Sequence, residues 1–105
     1  ASAAVGTLGI EVAPLDRVTA QQLELPQGLR GVVVADVRAG GPAFEQIAGP
    51  DNGGPDIILA VEGKPVARPA DFRAALRGTK PGDIVSLSVF NSQSKTRRVE
   101  RIKLQ

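Results

Sequence analysis

Three short apolar runs bounded by turn residues constrain this chain most, because each has the length of a strand and not of a helix. The first, Gly31–Val37, is rich in β-branched residues, and the second, Asp56–Val61, is almost wholly apolar. In the third, Ile84–Phe90, apolar residues alternate with Ser86 and Ser88, as in a half-exposed strand. Two further runs complete a prediction of about five strands: Leu8–Val12 and Thr96–Leu104.

The clearest helix is predicted over Pro69–Arg77, where Pro69 suits the first turn and Gly78 suits the C-terminal cap. Phe72, Ala75 and Leu76 recur at the spacing of one helical face, and we expect Phe72 and Ala75 to face the core.

Two shorter helices are predicted earlier in the chain. Thr19 fits an N-cap with Gln22 closing a capping box, so a helix should begin there and end by Pro26. A second, of one or two turns, is predicted over Ala43–Ile47 after Pro42.

These elements predict an α+β fold that is mainly β, a partly open antiparallel barrel of five to six strands capped by two or three short helices. No linker divides residues 1–105, so we expect a single domain with a frayed start over residues 1–5. Val99 and Ile102 fall on opposite faces of a strictly alternating strand, which predicts a bulge near Glu100–Arg101. The segment Gly49–Pro55 is dense in turn residues and predicts a surface loop.

The absence of His and Cys from the sequence excludes several classes of function. Ser-His-Asp and Cys-His mechanisms need an imidazole base, and structural zinc or iron–sulfur sites need thiolate or imidazole ligands. Asp51 and Asp56 lack the ligand spacing of a calcium loop. We therefore predict no metal, no cofactor and no enzyme activity in this chain alone, and an enzyme working through carboxylates only remains a formal alternative.

The charge pattern argues against nucleic acid as a partner. The net charge is only +2, and the three Phe are the only aromatic residues, so a base-stacking platform is missing. The cations collect near the C-terminus, where we expect a solvated strand face, with a phosphate-binding stripe as the alternative: Lys95, Arg97, Arg98, Arg101 and Lys103, opposed by Glu100. No apolar run is long enough to span a membrane, and we expect no direct membrane insertion.

The order of these elements resembles a PDZ domain over nearly the whole chain, from about Gly6 to Leu104. The run Leu8-Gly9-Ile10 is similar to the family's carboxylate-binding loop, which opens the peptide-binding strand. Residues 54–66 resemble its Gly-Asp-apolar-Ile…Asn-Gly-Lys-Pro-Val signature, although Pro55 separates Gly54 from Asp56 and residues 49–54 look like a small insertion.

The strand order is similar to that of bacterial PDZ domains, particularly those of the HtrA/Deg trypsin-like serine proteases. Few residues precede Leu8, so the closing strand is expected from Thr96–Leu104, which is the permuted order of those domains. In these enzymes the PDZ module follows the protease domain, which holds the catalytic triad.

The resemblance implies a peptide-binding site between the strand after Gly9 and the helix from Pro69. Backbone N–H groups of Leu8, Gly9 and Ile10 would bind a terminal carboxylate, and Leu8, Ile10 and Leu76 would line the pocket for the last side chain. Pro69 stands where the family has a peptide-selecting His, which favours an apolar ligand residue, and Arg73 would contact an acidic one. The implied site residues are Thr7, Leu8, Gly9, Ile10, Glu11, Val12, Pro69, Arg73 and Leu76.

The function implied is that of a peptide-binding module in a larger periplasmic or envelope serine protease. It would capture C-termini or unfolded segments, recruit substrate or regulate the preceding protease domain, and be monomeric in isolation. Two alternatives stay open: a PDZ module of another bacterial envelope protein, such as a processing or intramembrane protease or a secretion component, and an assembly domain without a free peptide ligand.

Overall fold

The computed structural model describes residues 9–26, 28–37, 46–49, 55–77, 79–80 and 82–104. Within these ranges the chain forms six strands and two helices. In chain order they are β1 Ile10–Pro14, α1 Arg17–Gln22, β2 Val32–Val37, β3 Asp56–Val61, β4 Lys64–Pro65, α2 Pro69–Leu76, β5 Ile84–Asn91 and β6 Arg97–Lys103.

The strands form one open antiparallel sheet in the order β1-β2-β3-β5-β6, and the two-residue β4 pairs beside β3. Each strand predicted from the sequence is present, and the prediction of a mainly β fold with short helices is confirmed. Strands β1 and β6 lie at the two ends of this order, so each has one edge that no described strand pairs with.

Both faces of the sheet bury apolar side chains. The larger cluster, which we call the main core, holds β-strand side chains such as Ile10, Ile58 and Leu87 together with Phe72 of α2. The opposite face, which we call the outer face, carries Val33, Ile57 and Phe90. Leucines from the segments that flank α1 pack against these three: Leu15, Leu23, Leu25 and Leu29. The sheet therefore lies between α2 and the segments that flank α1.

The bulge predicted near Glu100–Arg101 is wrong, since β5 and β6 pair in unbroken register from Ile84↔Lys103 to Phe90↔Arg97. Val99 and Ile102 do lie on opposite faces, because Val99 is exposed and Ile102 is buried. The register shifts elsewhere. Glu11↔Asp36 is followed by Val12↔Val34, which leaves Ala35 as an extra residue in β2.

A second shift lies in β3, where Ile58 pairs with Val89 and Ala60 with Ser88. The extra residue lets Ile58 and Val61, three positions apart, both enter the main core.

Helix α1 begins earlier than the sequence predicted. Its N-cap is Asp16, and the Asp16 carboxylate accepts a hydrogen bond of 2.7 Å from the backbone N–H of Thr19. Thr19 is thus the third helical residue and not the cap. An aspartate preceding the first turn satisfies a free N–H and suits the positive end of the helix dipole. The helix ends at the C-cap Leu23, before Pro26 as predicted.

Several predictions fall wholly or partly outside the described residues: most of the helix over Ala43–Ile47, the cap at Gly78 and most of the loop Gly49–Pro55. Of the first segment, Gln46 and Ile47 are described and form a turn and a bend, not a helix.

Gly31 has a steric requirement at the junction of β2 and β3. A Cβ on Gly31 would lie 2.4 Å from the backbone oxygen of Ile58 and 2.9 Å from Cγ2 of Ile57. We expect Gly31→Ala to lower the free energy of unfolding by about 1–3 kcal/mol in urea denaturation, because the clash is with backbone that cannot rotate away.

Gly49→Ala is the matched control for Gly31→Ala, since among the described residues its Cβ would meet only Val37, with Cγ2 at 3.7 Å. It should change the free energy of unfolding by less than about 0.5 kcal/mol. Equal stabilities of the two variants would contradict the close approach of the strands.

Candidate functional site

One edge of strand β1, beside α2, has no partner among the described strands. Among the described residues β1 pairs with β2 alone, and α2 packs against β1 and β3 on the main-core face. The N–H and C=O groups on the other edge of β1 therefore have no strand partner within the described part of the chain. An unpaired edge next to a helix is the geometry that accepts an added peptide strand.

Gly9 sets the approach of the chain to this edge. It is buried, adopts φ 75°, and directly precedes β1. This left-handed backbone conformation is open to Gly and costly for residues with a Cβ, so the turn into β1 depends on Gly9. Thr7 and Leu8, the two site residues before it, lie outside the described residues.

The three site residues of β1 divide between the faces of the sheet. Ile10 and Val12 are buried in the main core, while Glu11 is half-buried and lies directly opposite Asp36 of β2. Leu76 of α2 packs partly buried against the same main core. The structure thus brings Ile10 and Leu76 into one apolar cluster.

On α2, the site residues Pro69, Arg73 and Leu76 follow one another at intervals of four and three residues, so they share a helix face. Pro69 and Leu76 are half-buried and Arg73 is exposed. Phe72 is the buried residue of α2, as predicted, and it fixes the helix to the sheet from within the main core.

Asp71 fixes the start of α2, a role that the sequence reasoning missed. Its carboxylate accepts hydrogen bonds from the backbone N–H groups of Ala67, at 3.1 Å, and Arg68, at 3.2 Å. The bond from Ala67 is the main cause of its lowered pKa, and the guanidinium of Arg68 lowers the pKa further. An acidic residue three positions after an N-cap is the signal that could have identified it.

The two capping aspartates predict how stability changes with pH. Backbone hydrogen bonds lower the pKa of Asp16, chiefly that from Thr19, and of Asp71, chiefly that from Ala67, below the ordinary value of 3.8. A carboxylate with a lowered folded-state pKa stabilises the fold above its unfolded pKa, and this contribution is lost as the pH falls through the folded pKa.

We therefore expect the melting temperature of the Asp16→Asn/Asp71→Asn variant to fall less steeply than that of the parent chain between about pH 5 and pH 2. Thermal melts followed by circular dichroism across that range measure the difference. Parallel pH profiles would mean that the ionisation of the two caps contributes nothing to stability, since Asn keeps the capping hydrogen bond.

A buried ion pair stabilises the far end of the sheet. It is separate from the candidate groove, as we call the cleft between β1 and α2. The Asp56 carboxylate is 0% exposed and accepts hydrogen bonds from Arg98 Nη2 at 2.6 Å, Asn91 Nδ2 at 2.8 Å and the Ala48 N–H at 2.9 Å. Arg98 also donates to the backbone oxygen of Gln46 and to the Glu100 carboxylate. Asp56 is the acid of the signature noted in the sequence, and these contacts give it a structural role.

The same cluster keeps Arg98 charged and corrects one part of the charge prediction. Partial burial alone would lower the pKa of Arg98, but its hydrogen bonds to Asp56 and Glu100 outweigh that effect and raise the pKa. The predicted solvated strand face describes Arg97, Arg101 and Lys103, which are exposed, but not the half-buried Arg98.

A half-open cavity of about 560 Å³ lies beside α1, lined among others by Leu15, Gln21, Leu25 and Leu29. These leucines cover the outer face of the sheet, so the cavity is on the side opposite α2 and is not part of the candidate groove.

Comparison with known proteins identifies the class of this chain. The PDZ domain family matches residues 6–100, and the chain belongs to that family. The chain is similar to two curated proteins named probable periplasmic serine endoprotease DegP-like. It is 30% identical over 87 residues to the one from Rhizobium meliloti (strain 1021) and 31% identical over 93 residues to the one from Ectopseudomonas mendocina (strain ymp).

The matches cover 83% and 86% of this chain but only 16% and 18% of those relatives. The fold also resembles a solved structure of the HtrA-type protease AlgW with a decapeptide, with a TM-score of 0.72 and 26% identity over 92% of this chain and 28% of that one. An AlgW variant with a tripeptide gives a TM-score of 0.58 and 30% identity, over 95% of this chain and 32% of that one. This chain is thus a PDZ domain of the HtrA type, a non-catalytic module.

Proposed function

We propose that this domain binds extended polypeptide segments by adding them as a strand to the free edge of β1, with α2 as the second wall of the groove. The observation that carries the proposal is the edge of β1 that no described strand pairs with, which lies beside a helix and follows the positive φ of Gly9. Two of the AlgW structures that resemble this chain were solved with short peptides, which supports the same use of the fold in this domain.

In this proposal the backbone N–H groups of Leu8, Gly9 and Ile10 bind a ligand's terminal carboxylate. Leu8, Ile10 and Leu76 form the pocket for the last side chain. The half-buried position of Leu76 at the main core supports that assignment, since a side chain there can contact a ligand without leaving the cluster.

The remaining assigned residues concern ligand positions further from the C-terminus. Pro69 offers no side-chain donor, so we propose an apolar preference opposite it, and the exposed Arg73 attracts an acidic side chain. Thr7, Glu11 and Val12 complete the strand along which the peptide pairs.

We propose further that residues 1–105 act as one binding domain within a longer periplasmic serine endopeptidase. There it would recruit C-termini or unfolded segments, or relay their presence to the protease domain. The names of the curated relatives support the periplasmic location and the protease context.

Amide NMR spectra test the binding proposal directly, through titration of a short peptide that ends in Val with a free carboxylate and of the same peptide amidated. Shifts at residues 9–12 and 73–77 that require the free carboxylate are expected. Equal shifts with both peptides would replace C-terminal recognition by recognition of internal segments. No shift with either peptide, together with a stable oligomer, would favour an assembly domain.

Substitution of Leu76 sharpens the test. Leu76→Lys should lower the affinity for the peptide by about tenfold or more, because it replaces apolar contact with a charge at the pocket. Ala74→Lys is the matched control, since it adds the same charge at an exposed position of the same helix and should leave affinity unchanged. Equal affinities of the two variants would show that Leu76 does not line the peptide-binding groove.

A further inference from the structure

Part of the outer face of the sheet has no layer of described residues packed on it. Val85, Leu87 and Val89 of β5 enter the main core, so the residues between them project from the outer face. The register places Ile84 opposite Lys103, Ser86 opposite Arg101, Ser88 opposite Val99 and Phe90 opposite Arg97. Residues opposite one another in an antiparallel pair share a face, so these eight side chains form one two-stranded surface.

Among the described residues, the segments that flank α1 cover this surface at the level of Phe90, which packs with Val33 and Ile57. Beyond that level the apolar side chains are open to solvent: Ile84 is 62% exposed and Val99 is 61% exposed. Two of the three exposed large hydrophobic residues of the described chain therefore lie on neighbouring strands of one face.

The charged side chains among these eight are all positive, and one acid, the exposed Glu62 of the β3–β4 turn, lies at their edge, where its carboxylate accepts a hydrogen bond from the backbone N–H of Ser86. Arg97, Arg101 and Lys103 are exposed, and the acid of β6, Glu100, projects from the opposite face with Arg98. Strand β5 has no acidic residue. At the border with the α1 layer, Arg30 and Arg97 line a depression of about 240 Å³ together with Leu29 and Leu59. We call the surface of Ile84, Arg97, Val99, Arg101 and Lys103 the cationic face.

We propose that the cationic face binds the surface of a membrane that contains anionic phospholipids. Arg97, Arg101 and Lys103 share one face of β6, so their long side chains can contact lipid phosphates at the same time while Val99 and Ile84 enter the headgroup layer. The contact is peripheral, and within the described residues no helix is long and apolar enough to cross a membrane.

The composition of the cationic face favours a lipid surface over a protein. The core of a protein interface is depleted of charge, whereas on this face Arg101 lies between Val99 and Lys103 at the centre of the surface. A second copy packed through the same face would oppose cations with cations. A diffuse anionic surface needs neither an apolar core nor a matched set of carboxylates.

The expected strength is modest and depends on salt. A Lys or Arg near an anionic bilayer contributes about 1 kcal/mol, so the loss of each cation should lower the partition coefficient about fivefold. Screening over roughly 10 Å at 0.1 M salt means that binding should fall steeply as the ionic strength rises.

Sedimentation of the 105-residue chain with large vesicles tests the proposal. Vesicles of equimolar phosphatidylglycerol and phosphatidylcholine should bind the chain at low salt, and vesicles of phosphatidylcholine alone should not. The variant Arg101→Gln/Lys103→Gln should lower the partition coefficient by about 25-fold, which is two successive fivefold losses. Val99→Thr should weaken binding without any change of charge, which separates headgroup insertion from simple attraction.

The control Lys64→Gln/Arg77→Gln removes the same charge from exposed positions on β4 and at the end of α2. Its partition coefficient should stay close to that of the parent chain. Equal decreases of the partition coefficient in the two double variants would show that binding depends on net charge alone, and would overturn the assignment to this face. Absence of vesicle binding would overturn it as well, and a concentration-dependent dimer abolished by Arg101→Gln/Lys103→Gln would assign the face to a second copy instead.

Discussion

Replacement of Asp56 by asparagine is expected to lower the free energy of unfolding by about 3–5 kcal/mol, the usual cost of breaking a buried ion pair from one side. The Asp56 carboxylate has no exposure to water, so solvent cannot take over the interactions that it loses. Urea denaturation of the parent chain and of Asp56→Asn at neutral pH measures the difference.

The number of donors around Asp56 explains why a side chain of the same shape cannot replace it. Arg98, Asn91 and the backbone N–H of Ala48 all donate to its two carboxylate oxygens. An asparagine has one acceptor oxygen, and its NH₂ group would face a donor. One donor would therefore be left unsatisfied in a buried position, and Arg98 would lose its main counter-charge.

Glu100→Gln is the comparison that isolates burial. Glu100 also contacts Arg98, but its side chain is partly exposed, so we expect a loss of less than about 1 kcal/mol. Losses of similar size in Asp56→Asn and Glu100→Gln would show that the Asp56–Arg98 pair contributes no more than a surface salt bridge does, and that the burial of Asp56 has no special weight in the stability of the fold.

The strands were predictable because their signal is local. Short runs of β-branched and apolar residues between turn residues identified five of the six described strands, all except the two-residue β4, and period-two alternation gave the buried side of β5. The same signal failed at Val99 and Ile102. Apolar residues three apart mark a bulge only when both are buried, as with Val34 and Val37, and the sequence does not show which apolar side chains the fold leaves in water.

Long-range partners were not predictable in the same way. Asp56 and Arg98 are 42 residues apart, and nothing in the spacing of either residue indicates the pair. The cap of α1 was misplaced because Asp16 and Thr19 both suit an N-cap, and only the backbone conformation shows that Asp16 precedes the first turn.

For the candidate groove, the sequence predicted that Ile10 and Leu76 would meet, and the structure places both at the main core. The resemblance to a known family supplied that prediction, since β1 and α2 are more than fifty residues apart in the sequence and no local pattern relates them. The binding roles of these residues remain proposals.

Phe72→Ala is expected to lower the free energy of unfolding by about 3–5 kcal/mol and to lower the affinity of the candidate groove for peptide. Phe72 is 0% exposed and is the buried residue that fixes α2 to the sheet, so truncation leaves a cavity between the helix and the strands. Phe90 is nearly as buried, but it belongs to the cluster on the outer face, away from α2.

This difference in location separates a loss of stability from a loss of the site. The milder variants Phe72→Leu and Phe90→Leu should both fold, and denaturation should show similar losses of stability in the two. Peptide affinity, measured well below both melting temperatures, should fall in Phe72→Leu and stay at the parent value in Phe90→Leu, because only the first loosens α2 against β1. Equal affinities in the two variants would mean that the position of α2 does not determine binding, and the helix would then have to be removed from the proposed groove.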